Sequence, residues 1–168
     1  MNKRYNVEQI LQDMTRALRQ RMQARGIAEP VMIGIHTGGV WIAEELHRRL
    51  GLTTPLGGLN ISFYRDDFSR AGLHPDVKPS NLPFEIDGAH LILVDDVLYT
   101  GRTIRAAMNE IFDYGRPDSI TLAVLAERSG RELPIQADVV GVRFDIDPHE
   151  QIKLTGPQNM QLEVVQSL

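Results

Sequence analysis

The apolar positions in the first third of the chain follow two different periods. From Val7 to about Arg25 the residues Val7, Ile10, Leu11, Met14, Leu18 and Met22 recur at helical spacing with Arg and Gln between them, and Gly26 ends the pattern. This spacing predicts an amphipathic helix with one buried stripe. "PVMIGI" (30–35) is a short unbroken apolar run and reads as a buried strand. The tight turn "HTGG" (36–39) leads into "VWIAEELHRRLG" (40–51), a helix with basic residues in its last turn and Gly at its end. In "LNISFYRDD" (59–67) the alternation of Leu59, Ile61 and Phe63 predicts another strand.

The next segment, "FSRAGLHPDVKPSNLPFEIDG", has three prolines, two glycines and little periodicity, and reads as a long excursion of the kind more often functional than decorative. "HLILVDDVLYTGRT" (90–103) then supplies a strand and a loop, followed by a helix from about Thr103 to Tyr114 that stops at Gly115 before Pro117. "SITLAVLAER" (119–128), "ADVVGVRF" (137–144) and "QLEVV" (161–165) are further strands. Strands alternating with helices predict an α/β fold with a mostly parallel sheet covered on both faces. Ligands of such sheets bind beyond the carboxyl ends of the strands. Two strand-to-helix loops stand there, "HTGG" and "DDVLYTGRT".

Composition narrows the setting. The chain has 168 residues, 42% of them apolar, and no Cys, which predicts one domain over residues 1–168 with a single sizeable core and no disulfides. Without Cys, a charged-then-apolar leader or an apolar run of bilayer length, the expected setting is the cytoplasm, with no membrane partner. A net charge of −4 argues against binding of nucleic acid through overall charge, and leaves a local basic patch open.

"DDVLYTGRT" carries the clearest chemistry. Thr100, Gly101, Arg102 and Thr103 precede a helix, so backbone N–H groups at its positive end, two hydroxyls and a guanidinium together form an anion cradle suited to phosphate. Asp95 and Asp96 stand upstream as acceptors for hydroxyls or ligands for a hard cation such as magnesium. Phosphate donors beside hydroxyl acceptors describe a ribose phosphate. The residues alone also allow a plainer reading, in which Asp-Asp is a solvated N-cap and Thr-Gly-Arg-Thr a capping turn. The spacing fits neither GxxxxGK[ST] nor GxGxxG, and the separate acidic pair, phosphoacceptor Asp and late Lys of a receiver domain are not evident. His74 and His149 show no metal-ligand spacing, so zinc is not expected. Trp41 is expected to pack its helix against the sheet.

"LILVDDVLYTGRT" resembles the signature of type I phosphoribosyltransferases, which bind 5-phosphoribosyl 1-diphosphate (PRPP). The closer resemblance is to the PyrR family of bifunctional pyrimidine operon regulators and uracil phosphoribosyltransferases. It extends from about Val31 to Gly141: "GIHTGGVWIA" is similar to the family's diphosphate loop, "FYRDD" to its strand before a flexible loop, "GRTIRAAMNEIFDYGRP" to its PRPP helix, and "LAVLAERSGRELPIQADVVG" to the strand and turn that follow.

The resemblance implies the type I phosphoribosyltransferase fold, with a small hood built mainly from the C-terminal part. It also implies transfer of ribose 5-phosphate from PRPP to N1 of uracil, giving UMP and diphosphate with Mg2+ as cofactor. Asp95 and Asp96 would be the catalytic carboxylates, holding the ribose hydroxyls and magnesium by way of water and PRPP; proton transfer is not assigned to either. Val97, Leu98, Tyr99, Thr100, Gly101, Arg102 and Thr103 would bind PRPP or nucleotide, Thr100 to Thr103 at the 5-phosphate. Thr37 and Gly38 would meet the diphosphate in a loop where related enzymes often have a non-proline cis peptide. Tyr64 and Arg65 would lie on or beside the loop that closes the site.

Two departures bear on these roles. The family usually carries a basic residue at the place of His36 and Arg at the place of Gly38, and losing both weakens neutralisation of diphosphate. Where it commonly reads Gly-Lys-Asn-x-Pro-Thr over the base, this chain has Gly141, Val142, Arg143, Phe144, Asp145 and Ile146. Val142 and Arg143 are the base-recognition candidates. The family's second function, nucleotide-dependent binding of pyrimidine operon leader RNA, implies contacts at Thr15, Arg16, Arg19 and Arg131, with Gln136 where the family usually has Arg. A solvated arginine stripe is the alternative on the first helix. A homodimer or higher homo-oligomer is implied as well. Alternatives to the bifunctional reading are a catalytically weak nucleotide-sensing regulator and a phosphoribosyltransferase for a purine base.

Overall fold

The computed structural model describes residues 3–61 and 80–168. Tyr64, Arg65 and His74 lie outside the described residues. Five strands form a parallel sheet: β2 (Val31–Ile35), β3 (Gly57–Leu59), β4 (His90–Leu98), β5 (Ser119–Arg128) and β6 (Val139–Phe144), in the order β3-β2-β4-β5-β6. Helices α1 (Val7–Ala24), α2 (Gly38–Leu50) and α3 (Arg102–Tyr114) cover it. A second, antiparallel sheet has the order β1-β8-β7, built from β1 (Lys3–Asn6), β7 (Glu150–Thr155) and β8 (Gln161–Gln166).

The core lies in two layers because the central strands are apolar on both faces. Leu11, Met14 and Leu18 of α1 and Ile42 and Leu46 of α2 pack against Met32, Ile92, Val94 and Leu125 on one face. Ile104, Ala107 and Ile111 of α3 pack against Ile33, Leu91, Leu93 and Val124 on the other. Each fully buried Leu or Ile contributes about 1.5–3 kcal/mol, so the paired layers fix the sheet that positions the loops. Leu162 and Leu154 join the small sheet to the first layer, and the Tyr5 and Phe144 rings meet edge-on at 5.1 Å between centroids.

Several boundaries differ from the sequence pattern. α2 begins two residues earlier than its apolar periodicity, taking Gly38 and Gly39 into its first turn. β3 covers Gly57–Leu59, beginning two residues ahead of the expected alternation because its three residues pair with Ile33, Gly34 and Ile35; of that expected strand, residues 62–67 lie outside the described residues. β1 and β7 had no expected counterpart. The small sheet therefore takes one strand from the N-terminal end and two from the C-terminal part.

Chain connectivity places the site. From β2 the chain passes through α2 to β3 on one side, and from β4 through α3 to β5 on the other, so the direction of winding reverses between the neighbours β2 and β4. Such a switch point opens a crevice beyond the carboxyl ends of the two strands.

Candidate functional site

The "HTGG" loop leaves β2 at this crevice. The His36–Thr37 peptide bond is cis, as the family resemblance implied. Thr37 caps α2 without a side-chain hydrogen bond, so the first-turn N–H groups of the helix are presented by backbone alone. His36 donates its N–H to the Leu59 carbonyl at 2.8 Å, and its ring lies against Gly58. Gly39 is pressed onto β4: a Cβ there would stand 2.8 Å from the Val94 carbonyl oxygen and 3.0 Å from Asp95 Cα. A Cβ on Gly38 would collide with Asp96 Oδ2. The two glycines thus let one loop lie directly on the carboxylate pair of the other.

Asp95 is 3% exposed and Asp96 partly exposed at the end of β4. Their side chains are set by the backbone that follows: Asp95 Oδ1 accepts the Asp96 N–H, and Asp96 Oδ1 accepts the Val97 N–H, both at 2.8 Å. Asp96 Oδ2 is left on the Gly38 side. Val97 is partly buried, Leu98 is buried and Tyr99 is exposed beside the turn.

The turn itself is built for close approach. Gly101 caps α3 with φ 95°, a left-handed conformation that favours glycine. The Arg102 N–H reaches Thr100 Oγ1 at 3.2 Å, and the Arg105 N–H reaches the Gly101 carbonyl at 3.0 Å. Thr103 lies in the first turn of α3, where N–H groups and the positive end of the helix favour an anion. Under this turn, the Thr100 carbonyl accepts the N–H groups of Glu132 and Leu133, each at 3.0 Å, and Gly101 packs on Leu133 and Ile135. Arg102 pairs with Glu132 at 3.1 Å, an exposed contact that water and an incoming phosphate can compete for.

Other expected residues lie further out. Val142 and Arg143 are at the end of β6, where Arg143 Nε pairs with Glu127 Oε2 at 2.9 Å. On α1, Thr15 is 7% exposed and gives its hydroxyl to the Leu11 carbonyl at 2.7 Å, so that group serves the helix. Arg16 is exposed beside Asp13 at 3.7 Å, Arg19 donates to the Arg49 carbonyl, and Arg131 is exposed in the loop after β5. Trp41 packs on the small sheet as well: a Cβ at Gly156, in the β7–β8 turn, would stand 2.9 Å from its Cε3. Gly39 and Arg128 were missed from sequence. Gly39 shows there only as the second glycine of the "HTGG" turn; Arg128 gives no signal, being one basic residue at a strand end.

The structure therefore joins the Thr37–Gly39 turn, the Asp95–Asp96 carboxylate pair and the Thr100–Thr103 turn at one switch point. Residues 4–157 match the family described as phosphoribosyl transferase domain. The fold is shared with a hypoxanthine-guanine phosphoribosyltransferase from Bacillus anthracis (TM-score 0.67, 21% identity, covering 87% of this chain and 83% of that one). It is also shared with a purine phosphoribosyltransferase from Pyrococcus horikoshii (TM-score 0.62, 24% identity, 83% of each chain). In sequence, the chain is 59% identical over 161 residues to the bifunctional protein PyrR of Nitrosococcus oceani, covering 95% of this chain and 91% of that protein. It is 57% identical over 158 residues to PyrR of Pseudomonas aeruginosa, covering 94% and 93%. The chain belongs to the PyrR family of phosphoribosyltransferases. Among the described residues no helix is long and apolar enough to cross a membrane.

Proposed function

We propose that this protein transfers the 5-phosphoribosyl group of PRPP to N1 of uracil, giving UMP and diphosphate, and regulates pyrimidine genes by nucleotide-dependent binding of leader RNA. The observation that carries the catalytic half is the direct contact of the Thr37–Gly39 loop with Asp95 and Asp96, one turn of chain ahead of the Thr100–Thr103 cradle. Diphosphate, ribose hydroxyls and 5-phosphate each meet matching chemistry in that order. Membership of the family of bifunctional PyrR proteins supports both halves.

In this reading Thr100, Gly101, Arg102 and Thr103 anchor the 5-phosphate, and Val97, Leu98 and Tyr99 form the wall that leads to it. Asp95 and Asp96 accept the ribose hydroxyls. As the C1–O bond to diphosphate breaks and the bond from uracil N1 to C1 forms, the ring gains positive character that the carboxylates stabilise, and the N1 proton is lost. Thr37 and Gly38 receive the leaving diphosphate through backbone N–H groups. Tyr64 and Arg65 would close the site, and Val142 and Arg143 would border the base. Positioning supplies much of the acceleration, because the loops are held by packing before substrate arrives.

The donor set fits magnesium. Among the described residues no group of three or more acidic, His or Cys side chains could hold a metal ion, and Mg2+ suits one or two carboxylates supplemented by water and phosphate oxygens. Asp95 and Asp96 would hold it together with PRPP, where it neutralises charge on the diphosphate.

Arg16, Arg19 and Arg131, with Thr15 supporting the helix beneath, are the proposed RNA contacts, and a homodimer or larger homo-oligomer in the cytoplasm is the proposed working form. The function is tested by assaying nucleotide formation from PRPP with uracil, hypoxanthine and guanine. UMP formation in clear excess over the purine products is expected; a purine product in excess, or none, overturns the reading.

A further inference from the structure

Arg128, the last residue of β5, is a buried cation with no carboxylate partner among the described residues. It is 7% exposed, and none of the ion pairs among the described residues includes it. An isolated charge removed from water is costly unless its donors are satisfied and its field is answered. Three backbone carbonyls answer the donors: Nε reaches Ser129 at 3.2 Å, Nη2 reaches Asp147 at 3.4 Å, and Nη1 reaches Glu150. The remaining face of the guanidinium lies 4.0 Å from the centre of the Tyr99 ring.

These partners belong to two separate parts of the molecule. Tyr99 immediately precedes the Thr100–Thr103 phosphate turn. Asp147 and Glu150 lie on the path from β6, which carries Val142 and Arg143, into β7 of the small sheet. Gly130, with φ 115°, packs on the edge of the Tyr99 ring: a Cβ there would stand 2.5 Å from Cε2. Ser129 reinforces the link, its N–H bonding to the Phe144 carbonyl at 3.0 Å and its hydroxyl bonding within the same segment at Ile146. The planar guanidinium is suited to this task, since it stacks on a ring by its face while donating around its edge. An ammonium supplies the charge but not the fork.

We infer that Arg128 is a positioning residue which, through its stack on Tyr99 and its bonds to the Asp147 and Glu150 carbonyls, sets the phosphate turn and the base-bordering segment at a fixed separation. This rests on the reading of the site as one for a nucleoside 5-phosphate. A ligand that spans both parts then depends on Arg128, whereas one that occupies only the phosphate turn and the Asp95–Asp96 pair does not.

The test compares UMP, which carries base and phosphate, with ribose 5-phosphate, which carries no base, by calorimetric titration of the full-length protein. In Arg128→Met, affinity for UMP falls about tenfold while that for ribose 5-phosphate stays within about twofold. Arg128→Lys recovers part of the loss. Tyr99→Leu weakens UMP by a similar factor, and the double variant is no weaker than the stronger single one, the non-additivity expected of two residues acting through one contact. Equal loss for both ligands, no loss for UMP, or additive single effects overturns the inference; if Arg128→Met fails to fold, the same comparison in Arg128→Lys decides. If the unaltered protein binds neither ligand, the functional reading fails instead.

Discussion

Gly39 lies against Asp95 so closely that an added methyl group would stand 3.0 Å from the Asp95 α-carbon and from its Oδ1. The first turn of α2 and the end of β4 are therefore packed backbone to backbone, and the loop proposed to meet diphosphate is positioned by the residue proposed to meet ribose.

Gly39→Ala has no inexpensive relief, since the added carbon meets backbone atoms of Val94 and Asp95. It should destabilise the fold by about 1–3 kcal/mol, as overpacking does, and lower kcat/KM for UMP formation about a hundredfold by displacing the loop. At Gly38 the obstacle is the Asp96 side chain rather than backbone, and turning its carboxylate away gives up the bond from the Val97 N–H. Gly38→Ala should leave the melting temperature close to that of the unaltered protein while lowering activity through Asp96. Thermal melts alongside initial rates separate the two cases.

The α1–α2 junction gives a pH dependence. A hydrogen bond from Arg48 holds the Glu45 carboxyl below its ordinary value of 4.5 against partial burial, with Arg49 adding to the effect. A depressed folded-state pKa means that its contribution is full above the unfolded value and is lost as pH falls through the lowered one. Glu45→Gln should remove that part of the acid sensitivity. The pair is partly solvated, so the loss at pH 7 is on the order of 0.5 kcal/mol, and melting curves between about pH 3 and 7, spanning the carboxylate range, should show the variant and the parent converging at the acid end.

RNA binding makes a different prediction. If Arg16, Arg19 and Arg131 meet phosphates, replacing any one by Ala should weaken leader binding and reduce the steepness of its dependence on salt by about 0.7 in the log–log slope for single-stranded RNA. Gel shifts at several salt concentrations, with UMP present, measure both. Unchanged slopes would assign these arginines to an ordinary solvated surface. Arg19 also bonds the Arg49 carbonyl, so its variant needs a melting curve as control.

Much of this architecture was legible because the determinants are local. The stripe of Val7, Leu11, Met14 and Leu18 and the runs in β2, β4 and β5 report burial directly, and the Asp-Asp to Thr-Gly-Arg-Thr spacing is contiguous in sequence. What escaped depends on partners distant in the chain. β1 is mostly exposed and carries Lys3 and Arg4; it is a strand because it pairs with β8. β3 begins with two glycines of poor strand propensity and is fixed by β2. The Tyr99–Arg128 stack joins the residue that follows β4 to the last residue of β5 and leaves no periodic trace.

The most direct test of the account is the rate of UMP formation from uracil and PRPP, with magnesium, in the unaltered protein and in Asp95→Asn. Asparagine preserves the size of Asp95 and an oxygen for the Asp96 N–H, while it removes the charge and turns the second oxygen into a donor. The account predicts robust UMP formation by the parent, and a variant with parental melting temperature whose kcat/KM is lower by about a hundredfold, the scale of one lost electrostatic contact to a transition state. A parent that forms no UMP, or a variant that matches its rate, would contradict it.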